Sequence, residues 1–177
     1  MELIFLTSIL TLILSVVYYA LRYGIGPTPS GKLAIHEMAS LSKKNPEGIL
    51  LELGSGWGTL TFALSRMYPK RRIKAYEISP FPWLCSLFLL GKRKNLSLQR
   101  KDFYRVSFEE ASVIVCYLYP GVMKMLKEKF EKELRDGAIV ISNTFSTPGW
   151  KPIQVKQLDD LYRTPIYCYR FFRSSTE

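Results

Sequence analysis

A strand, a glycine-rich turn, a helix and a second strand follow one another between residues 48 and 77. The apolar run Ile49–Leu53 leads into Gly54-Ser55-Gly56-Trp57-Gly58, and the second apolar run ends on the acid Glu77. Glycine has no Cβ, so such a turn lets the backbone come close to a ligand. An acid at the tip of the next strand is placed to accept hydrogen bonds from the hydroxyls of a ribose. The pattern predicts a nucleoside-type ligand, with a purely structural turn as the alternative.

The spacing of the glycines narrows the kind of ligand. It is Gly-x-Gly-x-Gly, which differs from the Gly-x-Gly-x-x-Gly of dinucleotide sites, and the Lys-Ser/Thr pair of a phosphate-binding P-loop is missing. This turn therefore suits a ligand without a pyrophosphate.

Strand-like and helix-like segments alternate along the rest of the chain. Such alternation predicts an α/β fold with a doubly wound, Rossmann-like and mostly parallel sheet. The predicted strands are residues 49–53, 72–76, 96–100, 113–117 and 138–142, with shorter β-like pieces at 153–157 and 166–172. The predicted helices are residues 32–43, which Ser30 would cap, 59–68, 79–94 and 122–134. In the first of these helices, Leu33, Met38 and Leu41 are the expected inward positions.

The N-terminal segment contains no charged residue from Leu3 to Leu21. As a helix these residues would span roughly 28 Å, close to the thickness of the hydrocarbon core of a bilayer. Lysine and arginine follow the segment, which favours a cytoplasmic location for the remainder of the chain. We therefore expect residues 1–23 to be a single-pass transmembrane or membrane-anchor helix, residues 24–31 a linker and residues 32–177 the functional domain. A helix lying in the membrane interface is the alternative.

Composition restricts the partners. Lys and Arg number 25 against 15 Asp and Glu, giving a net charge of +10, which favours nucleic acid, anionic lipid or acidic partners. The three cysteines, Cys85, Cys116 and Cys168, are far apart and two lie in apolar runs, so we expect reduced, mostly buried thiols. One histidine, His36, and scattered cysteines argue against a metal site.

Four candidate features fall where predicted parallel strands end. Ligands of doubly wound sheets bind at these carboxyl ends, so the features are expected to converge. They are Gly54–Gly58, Glu77, Asp102-Phe103 and the segment Tyr117-Leu118-Tyr119-Pro120.

Several motifs resemble those of class I S-adenosylmethionine-dependent methyltransferases, and in particular the small membrane-anchored protein-lysine methyltransferases of the adenine nucleotide translocase and ATP synthase c-subunit type. The matching segments are Pro27-Thr28-Pro29, Glu52-Leu53-Gly54-Ser55-Gly56, Glu77-Ile78-Ser79-Pro80 with Trp83-Leu84, Arg100-Lys101-Asp102-Phe103-Tyr104, and residues 137–152 with Phe145, Pro148, Trp150 and Pro152. The chain departs from the family pattern at residues 57–59 and at Ser79.

The resemblance implies roles for individual residues. S-adenosylmethionine would be held by Glu52, Gly54, Ser55, Gly56, Gly58, Glu77, Ile78, Asp102 and Phe103. Asp102, which faces the lysine in one version of this assignment, and Tyr119 would be catalytic. The substrate would contact Tyr117, Pro120, Asn143, Phe145 and Trp150.

The implied reaction is N-methylation of a lysine side chain of a protein at or near the membrane, such as a membrane protein, by direct in-line methyl transfer. The first alternative is a methyltransferase for RNA or a small molecule, which the net charge favours. The second is a membrane-tethered binding module without activity, although such a module has no evident use for the three acids Glu52, Glu77 and Asp102.

Overall fold

The structure, a computed structural model, describes residues 1–23, 30–44 and 47–173. It contains five α-helices in these ranges: α1 Glu2–Tyr23, α2 Lys32–Leu41, α3 Thr59–Met67, α4 Pro80–Leu90 and α5 Pro120–Glu133. The strands are β1 Ile49–Leu53, β2 Ile73–Glu77, β3 Leu96–Arg100, β4 Ala111–Cys116, β5 Ile139–Asn143, β6 Gln154–Gln157 and β7 Pro165–Arg170.

The seven strands form one sheet in the order β3-β2-β1-β4-β5-β7-β6. Strands β1 to β5 are parallel, and β7 is inserted antiparallel between β5 and β6. This confirms the predicted Rossmann-like sheet. The strand order reverses between β1 and β4, so the crevice for a ligand opens at the carboxyl ends of these two strands.

Two apolar layers cover the two faces of the sheet. On one face, α2 and α3 pack through Met38, Leu60 and Leu64. On the other face, α5 packs through Met123 and Phe130. All residues of β4 and β5 are buried, which explains why these strands are continuous apolar runs in the sequence.

Two details of the helices differ from the sequence-based expectation. Helix α4 ends at Leu90 rather than near residue 94, because Gly91 adopts a φ of 55° and no longer continues the helix. The N-cap of α2 is Gly31 without a side-chain hydrogen bond, so Ser30 does not cap it. Leu33, expected to point inward, is exposed, whereas Met38 and Leu41 are buried.

The N-terminal segment forms the expected helix, α1, in which the Thr7 and Thr11 hydroxyls donate to backbone carbonyls of the preceding turn. Within residues 1–23, 30–44 and 47–173, no helix has the length and hydropathy needed to cross a membrane. The predicted transmembrane span is therefore not supported. Most of the predicted linker, including Pro27-Thr28-Pro29, lies outside the described residues.

Candidate active site

The glycine-rich turn leaves β1 and enters α3 at the crevice. Gly56 has a φ of 52°, and a Cβ added to it would meet no atom of residues 1–23, 30–44 and 47–173 within 4 Å. Gly58 also has a positive φ of 79°, but a Cβ there would lie 2.9 Å from the Ser86 hydroxyl oxygen. Because Gly58 has no side chain, α4 can approach the turn at this position. At Gly56, the absence of a side chain instead leaves space beside the turn.

Glu77 ties this turn to the start of α4. Its carboxylate accepts hydrogen bonds from the backbone N–H of Gly56 and of Ser79, both at 2.8 Å. On the other side of the turn, the Ser86 hydroxyl donates to the Gly56 carbonyl at 2.7 Å. The predicted ribose-binding acid therefore lies directly against the predicted cofactor turn, and its position also shapes that turn.

Glu52 lies below the turn and is buried. Its Oε2 accepts a hydrogen bond from the Thr61 hydroxyl at 2.6 Å. Burial raises the pKa of the Glu52 carboxyl from 4.5 to about 8, the Thr61 hydrogen bond opposes the rise, and the Glu77 charge adds to it. At neutral pH the buried Glu52 is thus largely protonated.

This protonation predicts an unusual dependence of stability on pH. The pKa of Glu52 is higher in the folded than in the unfolded chain, so the folded state holds the proton more strongly between pH 4.5 and about 8. The contribution of Glu52 to the free energy of unfolding should be largest below pH 4.5 and fall, on the order of a few kcal/mol, as the pH rises to about 8.

Urea unfolding between pH 5 and 8.5 measures this fall. The variant Glu52→Gln should lose it, while Glu128→Gln, which changes an exposed carboxyl on α5, should keep it. Equal slopes for the Glu52 variant and the wild type would contradict the assignment.

Asp102 follows β3 at the same edge of the sheet. Its Oδ1 accepts a hydrogen bond from the Tyr104 backbone N–H at 2.9 Å and so caps the short 3-10 turn Phe103–Arg105. Burial raises the pKa of Tyr104 to about 12, with further contributions from the nearby Asp102 and Tyr119. Tyr104 therefore lies near both residues predicted to be catalytic, and its hydroxyl stays protonated at neutral pH.

A second opening lies at the carboxyl ends of β4 and β5. It is a cavity of about 240 Å³ lined by residues from four segments: Gly31, Lys32, Leu33, Ala34, Tyr117, Asn143, Thr144, Leu158, Asp160 and Thr164. Two predicted substrate residues, Tyr117 and Asn143, thus line one cavity. Thr144 has a φ of 65°, which is uncommon for a β-branched residue and typical of functional sites.

The remaining predicted site residues occupy different surroundings. Phe145 stacks on Tyr117 with ring centroids 6.4 Å apart, beside the cavity. Trp150 instead packs on Phe171, centroids 5.5 Å apart, near the beginning of β5 and away from Asn143. Phe103 is buried in the core, Pro120 is exposed, and Ile78 is half-buried.

The turn offers the features that a bound S-adenosylmethionine requires. The Ser55 hydroxyl is buried and has no hydrogen-bond partner among the described residues, and buried polar groups normally have one. The open space beside Gly56 and the carboxylate of Glu77 lie next to it. A nucleoside ligand would supply the partner for Ser55, so these residues fit the cofactor.

Sequence reasoning missed several residues of the site. Tyr104 belongs to the matching segment Arg100-Lys101-Asp102-Phe103-Tyr104, but the resemblance assigns it no role. Thr61, the partner of Glu52, lies on α3, one helical turn beyond Gly58. Asp160 and Thr164 reach the cavity from the loop between β6 and β7, which no local pattern predicts.

The sheet order together with the glycine turn, Glu77 and Asp102 at its carboxyl edge defines a class I methyltransferase site. A solved structure of an RNA methyltransferase from Salinibacter ruber in complex with S-adenosyl-L-homocysteine shares the fold. It superposes with a TM-score of 0.73 at 22% identity, covering 85% of this chain and 99% of that chain.

The sequence profile described as ANTKMT methyltransferase domain matches residues 52–154, and the chain belongs to this family of S-adenosylmethionine-dependent methyltransferases. A protein-lysine N-methyltransferase of Saccharolobus islandicus is 28% identical over 137 residues, which cover 76% of this chain and 84% of that protein. The adenine nucleotide translocase lysine N-methyltransferase of Mus musculus is 32% identical over 126 residues, covering 68% of this chain. The chain matches about half, 53%, of that mouse protein. These findings confirm the class and cofactor predicted from the sequence.

Proposed function

We propose that this chain transfers a methyl group from S-adenosylmethionine to the ε-amine of a lysine in a protein at or near a membrane. The observation that carries the proposal is the cavity beside Tyr117 and Asn143, which opens at the same sheet edge as the glycine turn. Its volume of about 240 Å³ is sufficient for an alkylamine side chain. The relatives from Saccharolobus islandicus and Mus musculus are both lysine N-methyltransferases, which supports the same substrate class.

The cofactor, when bound, supplies an electrophilic methyl group on a sulfonium. The chain has to hold the amine in line with that methyl group and keep water out. A lysine amine has a pKa of about 10.4 in water and reacts only after losing its proton. Tyr117 lines the cavity and stacks on Phe145, and its ring offers an apolar surface that disfavours the charged amine by desolvation.

Asp160 contributes a negative charge at the cavity. Its Oδ1 and Oδ2 accept hydrogen bonds from the Thr164 backbone N–H and hydroxyl, at 2.8 and 2.6 Å. These hydrogen bonds, the side-chain one first, lower the pKa of the Asp160 carboxyl, so it is ionised at neutral pH. An ionised carboxylate in this position attracts an ammonium group. It also offsets the positive charge of Lys32, which lines the same cavity.

Replacing Asp160 by Asn should therefore weaken capture of the substrate. We expect the substrate concentration at half-maximal rate to rise roughly threefold, as for a partly exposed ion pair, with little change in the maximal rate. Initial methylation rates at increasing concentrations of substrate extract measure this. Asp159→Asn removes the neighbouring exposed carboxylate, which does not line the cavity, and should behave as the wild type.

The proposed substrate class is tested with radiolabelled S-adenosylmethionine, the full chain and a membrane extract. The product is divided and treated with protease or with nuclease. Label that protease releases and nuclease leaves in place supports a protein substrate. Label that nuclease releases would refute it in favour of RNA, the alternative that the net charge of +10 suggests. The predicted cytoplasmic location of the domain stays a prediction.

A further inference from the structure

Helix α4 exposes an apolar face on the outside of the molecule. Four large side chains of this 11-residue helix are exposed: Phe88 at 82%, Leu89 at 46%, Leu84 at 45% and Leu87 at 38%. The face that α4 buries consists of Pro82, Ser86 and Leu90. Contiguous exposed apolar patches of this kind mark sites of interaction. Helix α1 packs against α4 and adds exposed apolar side chains of its own, among them Phe5, Leu10 and Leu14.

Positive charge is concentrated around the same helix. Residues 54–101 hold ten of the 25 Lys and Arg residues but one of the 15 Asp and Glu residues, and that acid is the buried Glu77. No acidic residue occurs between residues 78 and 101. Lys92 and Lys94, just after α4, and Arg100 and Lys101, at the end of the edge strand β3, are exposed. Residues 54–101 therefore carry a net charge of +9, and Lys92, Lys94, Arg100 and Lys101 are the exposed cations nearest to α4 and β3.

A groove joins the apolar and the basic features. It has a volume of about 540 Å³ and lies between the end of α4 and the edge strand β3. Its lining includes four leucines and three cations: Leu87, Leu90, Leu96, Leu98, Lys92, Arg93 and Lys94. Leucine side chains and cations in one groove match the acyl region and the phosphates of a phospholipid leaflet.

We propose that α4, with residues 91–101, is a docking surface for an anionic phospholipid bilayer, into which Phe88 and its neighbouring leucines insert. Helices that present an apolar face flanked by lysine and arginine lie in the membrane interface in this manner. A nucleic acid would also be attracted by the positive charge of this surface. The exposed leucines would contribute nothing to its binding, since they offer no hydrogen bond to a phosphate or a base. The surface is separate from the cavity at β4 and β5, so the inference does not depend on the identity of the methyl acceptor.

The charge requirement is tested by flotation of the full chain with vesicles. We expect binding to vesicles of phosphatidylcholine with phosphatidylglycerol and weaker binding to phosphatidylcholine alone. The double variant Lys92→Gln/Lys94→Gln should bind the anionic vesicles about tenfold more weakly. The matched control Lys124→Gln/Lys132→Gln, on α5 across the sheet, should bind as the wild type. Equal binding of the two double variants would overturn the proposal.

A depth measurement separates α4 from α1, which can itself attach the chain to lipid. A nitroxide label is placed at Phe88→Cys or at Met125→Cys, an exposed apolar position on α5, each combined with Cys85→Ala. With anionic vesicles, the label at position 88 should become accessible to oxygen dissolved in lipid and shielded from a water-soluble nickel relaxer, while the label at position 125 stays in water. A label at position 88 that remains in water while the chain is bound overturns the proposal and assigns the binding to α1. Preferential binding of a structured RNA over the anionic vesicles overturns it in favour of nucleic acid.

Discussion

Replacing Gly56 by Ala is expected to lower the affinity for S-adenosylhomocysteine by about 100-fold, equivalent to about 3 kcal/mol. The added methyl would enter the space beside the turn, where no atom of the described part of the chain lies within 4 Å and where the cofactor would lie. The backbone there also has a φ of 52°, which strains any residue other than glycine by roughly 1–2 kcal/mol. Titration calorimetry of the full chain measures the affinity.

Gly137→Ala is the matched control for backbone strain. Gly137 has a φ of 80°, and a Cβ there also meets no atom within 4 Å, but it lies at the other end of β5. This variant should lose stability to a similar extent and keep its affinity for the cofactor product. If both alanine variants bind as the wild type, Gly56 does not face the cofactor.

Replacing Glu77 by Gln is expected to have the second large effect, again a loss of about 100-fold in affinity for S-adenosylhomocysteine. The carboxylate accepts hydrogen bonds from the Gly56 and Ser79 backbone N–H groups, and the resemblance assigns it the ribose hydroxyls as well. A glutamine side chain carries no charge. Its amide oxygen can accept from one backbone N–H group, but its NH2 group then faces the other N–H, and two donors cannot form a hydrogen bond. Calorimetry gives the affinity, and thermal unfolding with and without ligand shows whether the turn itself is disturbed.

Glu110→Gln controls for the loss of a negative charge. Glu110 is exposed and pairs with Lys74 at 3.2 Å outside the crevice, so this variant should bind the cofactor product normally. A Glu77 variant with unchanged affinity would show that Glu77 shapes the turn without contacting the ligand.

The fold could be predicted because the apolar pattern and the glycines carry most of its information. The observed ends of four strands lie within two residues of the predicted ends: β1, β3, β4 and β5. Each of these strands is a buried parallel strand or lies beside one. The predicted end of the helix, residue 94, lies four residues beyond the observed end of α4 at Leu90. Residues 92–94 are compatible with a helix, and Gly91 is the single residue whose type indicates that the helix ends. The predicted membrane span follows from the length of the uncharged segment and the cations after it, but no helix of the described residues is long and apolar enough to cross a membrane.

The site was predictable only where its residues lie in local motifs. Gly56 and Glu77 are 21 residues apart, yet each ends a strand of one unit, so their contact could be expected. Trp150 belongs to a motif by resemblance, but it packs with Phe171 instead of lining the cavity. Asp160 lines the cavity with Asn143 because β7 returns antiparallel beside β5, a long-range pairing that no local sequence pattern encodes.

The most direct test of the proposed activity is the chemical identity of the methylated group. Protein labelled with radioactive S-adenosylmethionine by the full chain is hydrolysed to amino acids and separated, with Glu77→Gln as the inactive control. The account predicts label that co-elutes with an Nε-methylated lysine and is strongly reduced with the variant. Label recovered in a nucleobase, or in an amino acid other than lysine, would contradict it.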